Sequence, residues 1–163
     1  MLRQVSELEA ILNELIAEHQ RLLKHLQTQH SAMKTCDLKA MDAIAQSQEA
    51  SRLRIATLET KRRMAVAQLT KSHGAKTDLT LTEIAAFHPQ HGRTLLEQRA
   101  TLKDLMKQVS TRAQIAGKVA GAVLGHLNTV VRLLAGAVEK AGLYTKQGVP
   151  QVSSRIGVME AVG

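Results

Sequence analysis

Aromatic residues are almost missing from this chain. One Phe, one Tyr and no Trp occur in 163 residues. A core must therefore be assembled from Leu, Ile, Val, Ala and Met. Base stacking on aromatic platforms, a usual grip on single-stranded nucleic acid, has almost nothing to use. Proline is scarce too. Pro89 and Pro150 are the two present, so long stretches are free of the strongest helix breaker. The single cysteine, Cys36, excludes an intrachain disulfide and fits a reducing compartment. Segments of alternating β-branched residues are absent. The opening MLRQVSELEA lacks the apolar centre of a secretory signal. The least polar stretch, 119-VAGAVLGHLNTVV-131, is bounded by Lys118 and Arg132 and contains His126 and Asn128. It is expected to be too short and too polar for a membrane span of about 20 residues. No phosphate loop, H-E-x-x-H, C-x-x-C or G-x-S-x-G pattern occurs. These absences argue against catalysis. His88 and His91 form an H-x-x-H pair, but in a loop with no clear further ligands, so no metal is expected.

What is present points to helix. Hydrophobic residues make up 44% of the chain, well above the disordered range. Ala, Leu, Gln, Glu, Lys, Arg and Met dominate, and all favour helix. The expected class is all-α: a long antiparallel hairpin plus a third long helix, forming an elongated three-helix bundle with a flexible C-terminal tail. The net charge is +8. Such a surface can attract nucleic acid, anionic lipid or an acidic protein. Arg52, Arg54, Lys61, Arg62 and Arg63 form the densest basic stretch, with Glu49 and Glu59 interrupting it. Phosphate attraction needs no more than such charge. Without aromatics it ranks behind protein binding.

The first helix is expected over residues 2–34. Val5, Leu8, Leu12, Leu15, His19, Leu22, Leu26, Gln29 and Met33 recur at spacings of three and four, as in a coiled-coil seam. Ile11, Ile16 and Leu23 widen the stripe, so the helix should face two neighbours within a bundle. A turn at 35-TCD-37 leads to a second helix over 38–72. Its stripe, Leu38, Met41, Ile44, Gln48, Ile55, Leu58, Ala65 and Leu69, is weaker. The short link makes the two antiparallel neighbours. Gly74 suits the position after a helix end. A short helix over 79–87 follows, with Thr80 and Glu83 as its capping box and Pro89 and Gly92 closing it.

The third long helix is expected over 92–141, completing a bundle domain over residues 1–141. Leu102, Met106, Val109, Ala113, Ala116, Ala120, Val123, Leu127, Val130, Leu134, Ala137 and Ala141 keep the three-four spacing. Gly117, Gly121 and Gly125 recur every four residues and line one face without side chains. Such a face admits another backbone closely. Either the first helix fills it from within, or it is a docking groove. Residues 142–163 change character, with four glycines, a proline and scattered apolar residues. They read as a flexible tail able to fold onto a partner.

In 131-VRLLAGAVEKAGLYTKQG-148 a Leu-Leu-x-Gly segment is followed by a Tyr and, four residues on, a Gly. They fall on Leu133, Leu134, Gly136, Tyr144 and Gly148. With these residues, and with 79-LTLTEIA-85 looking like the family's short linker helix, the chain resembles the FlgN-type flagellar export chaperones. Ala116-Gly117 stands where the family has Asn-Gly, and Thr145 where it has Asp. The resemblance implies a cytoplasmic chaperone without a cofactor. It would hold hook-associated proteins unpolymerised and deliver them to the type III export gate. The partner-binding residues expected on this reading are Gly117, Gly121, Val123, Leu127, Val130, Leu133, Leu134, Val138, Leu143, Tyr144 and Gly148. Two other readings stay open here: a homo-oligomeric coiled coil that associates through the first helix, and a basic nucleic-acid-binding bundle.

Overall fold

The computed structural model describes the backbone of residues 2–140 and the side-chain surroundings of residues 2–136. Four helices follow in order: α1 (Leu2–Lys34), α2 (Leu38–Ser72), α3 (Leu81–Phe87) and α4 (Pro89–Lys140). Among the described residues there is no strand. The chain divides into two units, Met1–Val119 and Ala120–Gly163. The first holds the bundle. The described part of the second is the continuing helix of α4.

The seam of α1 is filled as its spacing dictates. Val5, Leu8, Leu12 and Leu15 are fully buried, and His19, Leu22, Leu26 and Met33 nearly so. The polar seam positions are satisfied from within. His19 Nδ1 donates to the Leu15 carbonyl at 2.8 Å. Gln48 Nε2 of α2 donates to Gln29 Oε1 at 2.9 Å. That pair, with the Arg54–Glu18 contact at 3.4 Å and Ser72 against Gln4 at 3.4 Å, fixes α2 antiparallel to α1. Glu18 is a buried carboxylate that the apolar spacing does not announce. Arg21 and Arg54 pair with one of its oxygens, while Oε2 has no hydrogen-bond partner among the described residues.

In α2, Leu38 departs from the expected stripe. It opens the helix beside the turn and is 75% exposed. Ser51, Val66 and Thr70 are buried instead. Thr70 Oγ1 accepts from the Leu79 backbone at 3.0 Å and holds the following loop. Both long-helix ends close in the same way. At the end of α1 the Asp37 amide reaches the Ala32 carbonyl and the Cys36 amide reaches Met33; at the end of α2 Ala75 reaches Thr70 and Gly74 reaches Lys71. This Schellman closure places one residue in the left-handed region. Gly74 takes it at φ 66°, and Cys36 takes it at φ 52°.

The α3 capping box forms on Thr80 and Glu83, so the helix proper begins at Leu81. Pro89 does not close α3 with Gly92. His88 is the C-terminal cap, and Pro89 opens α4. Proline is suited to a first helical position, where no amide donor is required. Gly92 therefore lies inside the first turn of α4, pressed against α3. A Cβ there would sit 2.9 Å from the Ala85 carbonyl oxygen.

Within the first unit α4 runs parallel to α1. His91 Nδ1 lies 3.1 Å from Glu9 Oε1. Gln98 Nε2 donates to the Glu9 carbonyl at 3.0 Å and to Asn13 Oδ1 at 2.8 Å. Leu95 and Leu102 join the main core with Leu8, Leu12, Leu69 and Ile84. Ala116, with Val109 and Ala113 beside it, packs on Leu22 and Leu26. Met106 is a second departure: it is exposed, and Leu105 is buried in its place. The step from Gln98 through Leu102 and Leu105 to Val109 keeps the three-four register, and Met106 falls just off it.

Candidate partner-binding face

The apolar stripe of α4 is continuous, but its cover is not. At 3.6 residues per turn, Leu102, Val109 and Ala116 share one arc with Val123, Leu127, Val130 and Leu134. Through Ala116 that arc is covered: Leu102 and Ala116 are buried and Val109 is half-buried. Beyond it, Val123 is half-buried, while Leu127 and Leu134 are 53% and 61% exposed and Val130 is 38% exposed. A row of Leu and Val on one face, without cover over several turns, is larger than a soluble surface normally shows.

Two residues that the sequence reading did not single out belong to the same face. Leu124 and Val131 fall inside the arc and are exposed. The helical period alone would have found them, once the arc was allowed to be wider than a two-position seam.

Other expected site residues separate from this face. Gly117 and Gly121 lie roughly 80° and 120° round the helix from Leu127. Leu133 falls well off the arc on the other side. Among the described residues nothing lies within 4 Å of a Cβ built at Gly117, Gly121 or Gly125. Among the described residues nothing fills the glycine row. The glycines form an open strip beside the apolar face rather than its floor. Val138 is in α4, but its side chain lies outside the described residues, as do Leu143, Tyr144 and Gly148 entirely.

Helix α4 is also long and apolar enough, by length and composition, to cross a membrane; its least polar window has a mean hydropathy of 1.4. The limit expected from stretch 119–131 alone does not apply to a helix of this length. His126, Asn128 and Arg132 still interrupt it.

Elsewhere the basic run is partly engaged. Arg54 reaches Glu18, and Arg62 pairs with Glu59 at 2.9 Å. His88 and His91 do not face one another as a pair: His91 turns to Glu9, and His88 Nε2 meets His73 Nε2 at 3.1 Å. Burial, with the nearby charges of His73 and His91, holds the His88 imidazole below its ordinary pKa. Among the described residues no group of three or more His, Cys, Asp or Glu is arranged to hold a metal.

No curated protein and no solved structure matches the chain at a significant level. The family model described as FlgN protein matches residues 1–151. Nearly the whole chain is covered, including the hairpin, the capped short helix and the open stripe of α4, and the chain belongs to the FlgN family of flagellar export chaperones.

Proposed function

We propose that this chain is a cytoplasmic chaperone that shields the terminal helix of a hook-associated protein and brings it to the flagellar export gate. The observation that supports this reading is the apolar stripe of α4, where Leu127, Val130 and Leu134 are exposed and Val123 is half-buried among the described residues. Filament-type subunits carry amphipathic terminal helices before assembly. Such a helix laid on this stripe would extend the bundle's own packing, the helix-in-groove mode. Each Leu or Val buried there contributes about 1.5–3 kcal/mol. Four such anchors offset the cost of association and leave micromolar or tighter binding. The tail, residues 142–163, folds over the bound helix on this reading, with Tyr144 as a rigid anchor for client or gate.

Binding of a hook-associated protein's terminal helix, measured by calorimetry, tests the proposal. Removing residues 142–163 should weaken binding while helical content stays nearly intact. Tyr144→Ala should impair a docking step and shift stability by less than about 1 kcal/mol. Unchanged affinity in both would remove the tail from the mechanism. The burial of the α1 seam within the bundle favours this reading over self-association through the first helix.

A further inference from the structure

At one end of the bundle the caps of two helices bring two imidazoles together. His73 is the C-cap residue of α2 and His88 that of α3. Their Nε2 atoms are 3.1 Å apart, with ring centroids at 5.1 Å and planes at 70°. Both backbones are fixed: the His73 amide reaches the Leu69 carbonyl at 3.0 Å and the His88 amide reaches Ile84 at 3.1 Å. The rings are held as well. His73 stacks on Phe87 with centroids 4.6 Å apart, and His88 is only 7% exposed. Glu9, at the same end, contacts His91 rather than either of the pair.

Two imidazole nitrogens facing each other at this distance can share one proton or one cation. When each ring carries its proton on Nδ1, both Nε2 lone pairs are free for a metal. A tetrahedral zinc with Zn–N bonds of about 2.0–2.1 Å holds its ligand nitrogens about 3.3–3.4 Å apart. The observed spacing lies a few tenths of an ångström inside that, within the reach of a small ring rotation. Imidazole suits zinc, nickel and copper, and not magnesium or calcium.

We propose that His73 and His88 form a two-imidazole seat for a late first-row divalent cation, with water filling the remaining positions. The cation clamps the end of α2 to the α3–α4 corner. It is a structural seat and performs no chemistry. It is independent of the client-binding face, so either idea can fail alone.

The test uses the full chain without a polyhistidine tag, stripped with chelator and titrated with Zn2+, then Ni2+, by calorimetry at neutral pH. Thermal melts with and without the ion accompany it. The expected result is binding of one equivalent and a raised midpoint. His73→Gln and His88→Gln should each weaken binding about tenfold or more, because each removes one of two ligands. His25→Gln, on the middle of α1, should leave it unchanged. His73 is half-buried at a helix cap, so His73→Gln decides the matter if His88→Gln folds poorly. The proposal is overturned if the wild-type chain neither binds nor is stabilised, or if binding survives both substitutions undiminished. It is equally overturned if His25→Gln abolishes it.

Discussion

Two residues carry conformational constraints that composition does not reveal. Gly92 is tolerated in a helix, where glycine costs up to about 1 kcal/mol, because no other residue leaves room for the Ala85 carbonyl. Gly92→Ala should therefore destabilise the bundle by about 1–3 kcal/mol, although alanine is the better helix former. Urea unfolding reads this directly, and a stabilised variant would mean that α3 can move away. Cys36 presents the reverse case. It sits at φ 52° in the position that glycine fills at the end of α2. A left-handed non-glycine residue costs about 1–2 kcal/mol, partly offset by the greater freedom of glycine in the unfolded chain. Cys36→Gly should raise stability by about 0.5–1 kcal/mol, visible as a later urea midpoint with an unchanged slope. The turn at 35-TCD-37 was legible from sequence, as was glycine at 74. Which residue takes the left-handed position at the first turn was not, because nothing in Thr-Cys-Asp favours it.

The elements follow from periodicity and caps. The spacing of α1 gave its buried face almost residue for residue, because a seam buried on two sides leaves little freedom in which positions point inward. Helix α2 was less legible. Ser51 is 2% exposed, and a serine carries no hydrophobic signal. In α4 the stripe reads the same along its length, while its surroundings change after Ala116. Substituting both Leu127→Glu and Leu134→Glu should shift stability by less than about 0.5 kcal/mol each, as for exposed positions. Leu12→Ala, in the core, should cost about 2–5 kcal/mol. Denaturant curves on the two variants make the comparison. A stability loss in the glutamate variant comparable to that of Leu12→Ala would show that the stripe is covered within the chain. The same glutamate variant should lose client affinity on the proposed function.

At the scale of the whole molecule, pH acts on the corner between α2 and α4. His88 is held below its ordinary pKa by burial and by His73 and His91. The native imidazole thus stays neutral while the unfolded chain takes up a proton near pH 6.5. Its contribution to stability is full above that value and is lost as the pH falls below it. In chelator-treated protein, thermal midpoints should fall between about pH 7 and pH 5. In His88→Gln the slope should be shallower. Equal slopes would show that the corner does not sense protons through His88.

The sequence by itself determined the helices, the Thr80 capping box and the Gly74 turn, since spacing and turn chemistry are local. It also determined the chain's kinship, since the hairpin, the Thr80 box and the Leu-Leu-x-Gly segment are written in residue order. Only the tertiary structure decided which parts of a uniform stripe are covered. Leu102 and Leu127 look alike in sequence, yet among the described residues the first packs in the main core with Leu8 and Leu12 of α1 and the second is 53% exposed. It also decided that Gly117 and Gly121 stand open beside the apolar face, and that His88 meets His73 rather than His91. Each of these depends on which elements are neighbours in space, and a pattern read along one helix carries no information about the surface opposite it.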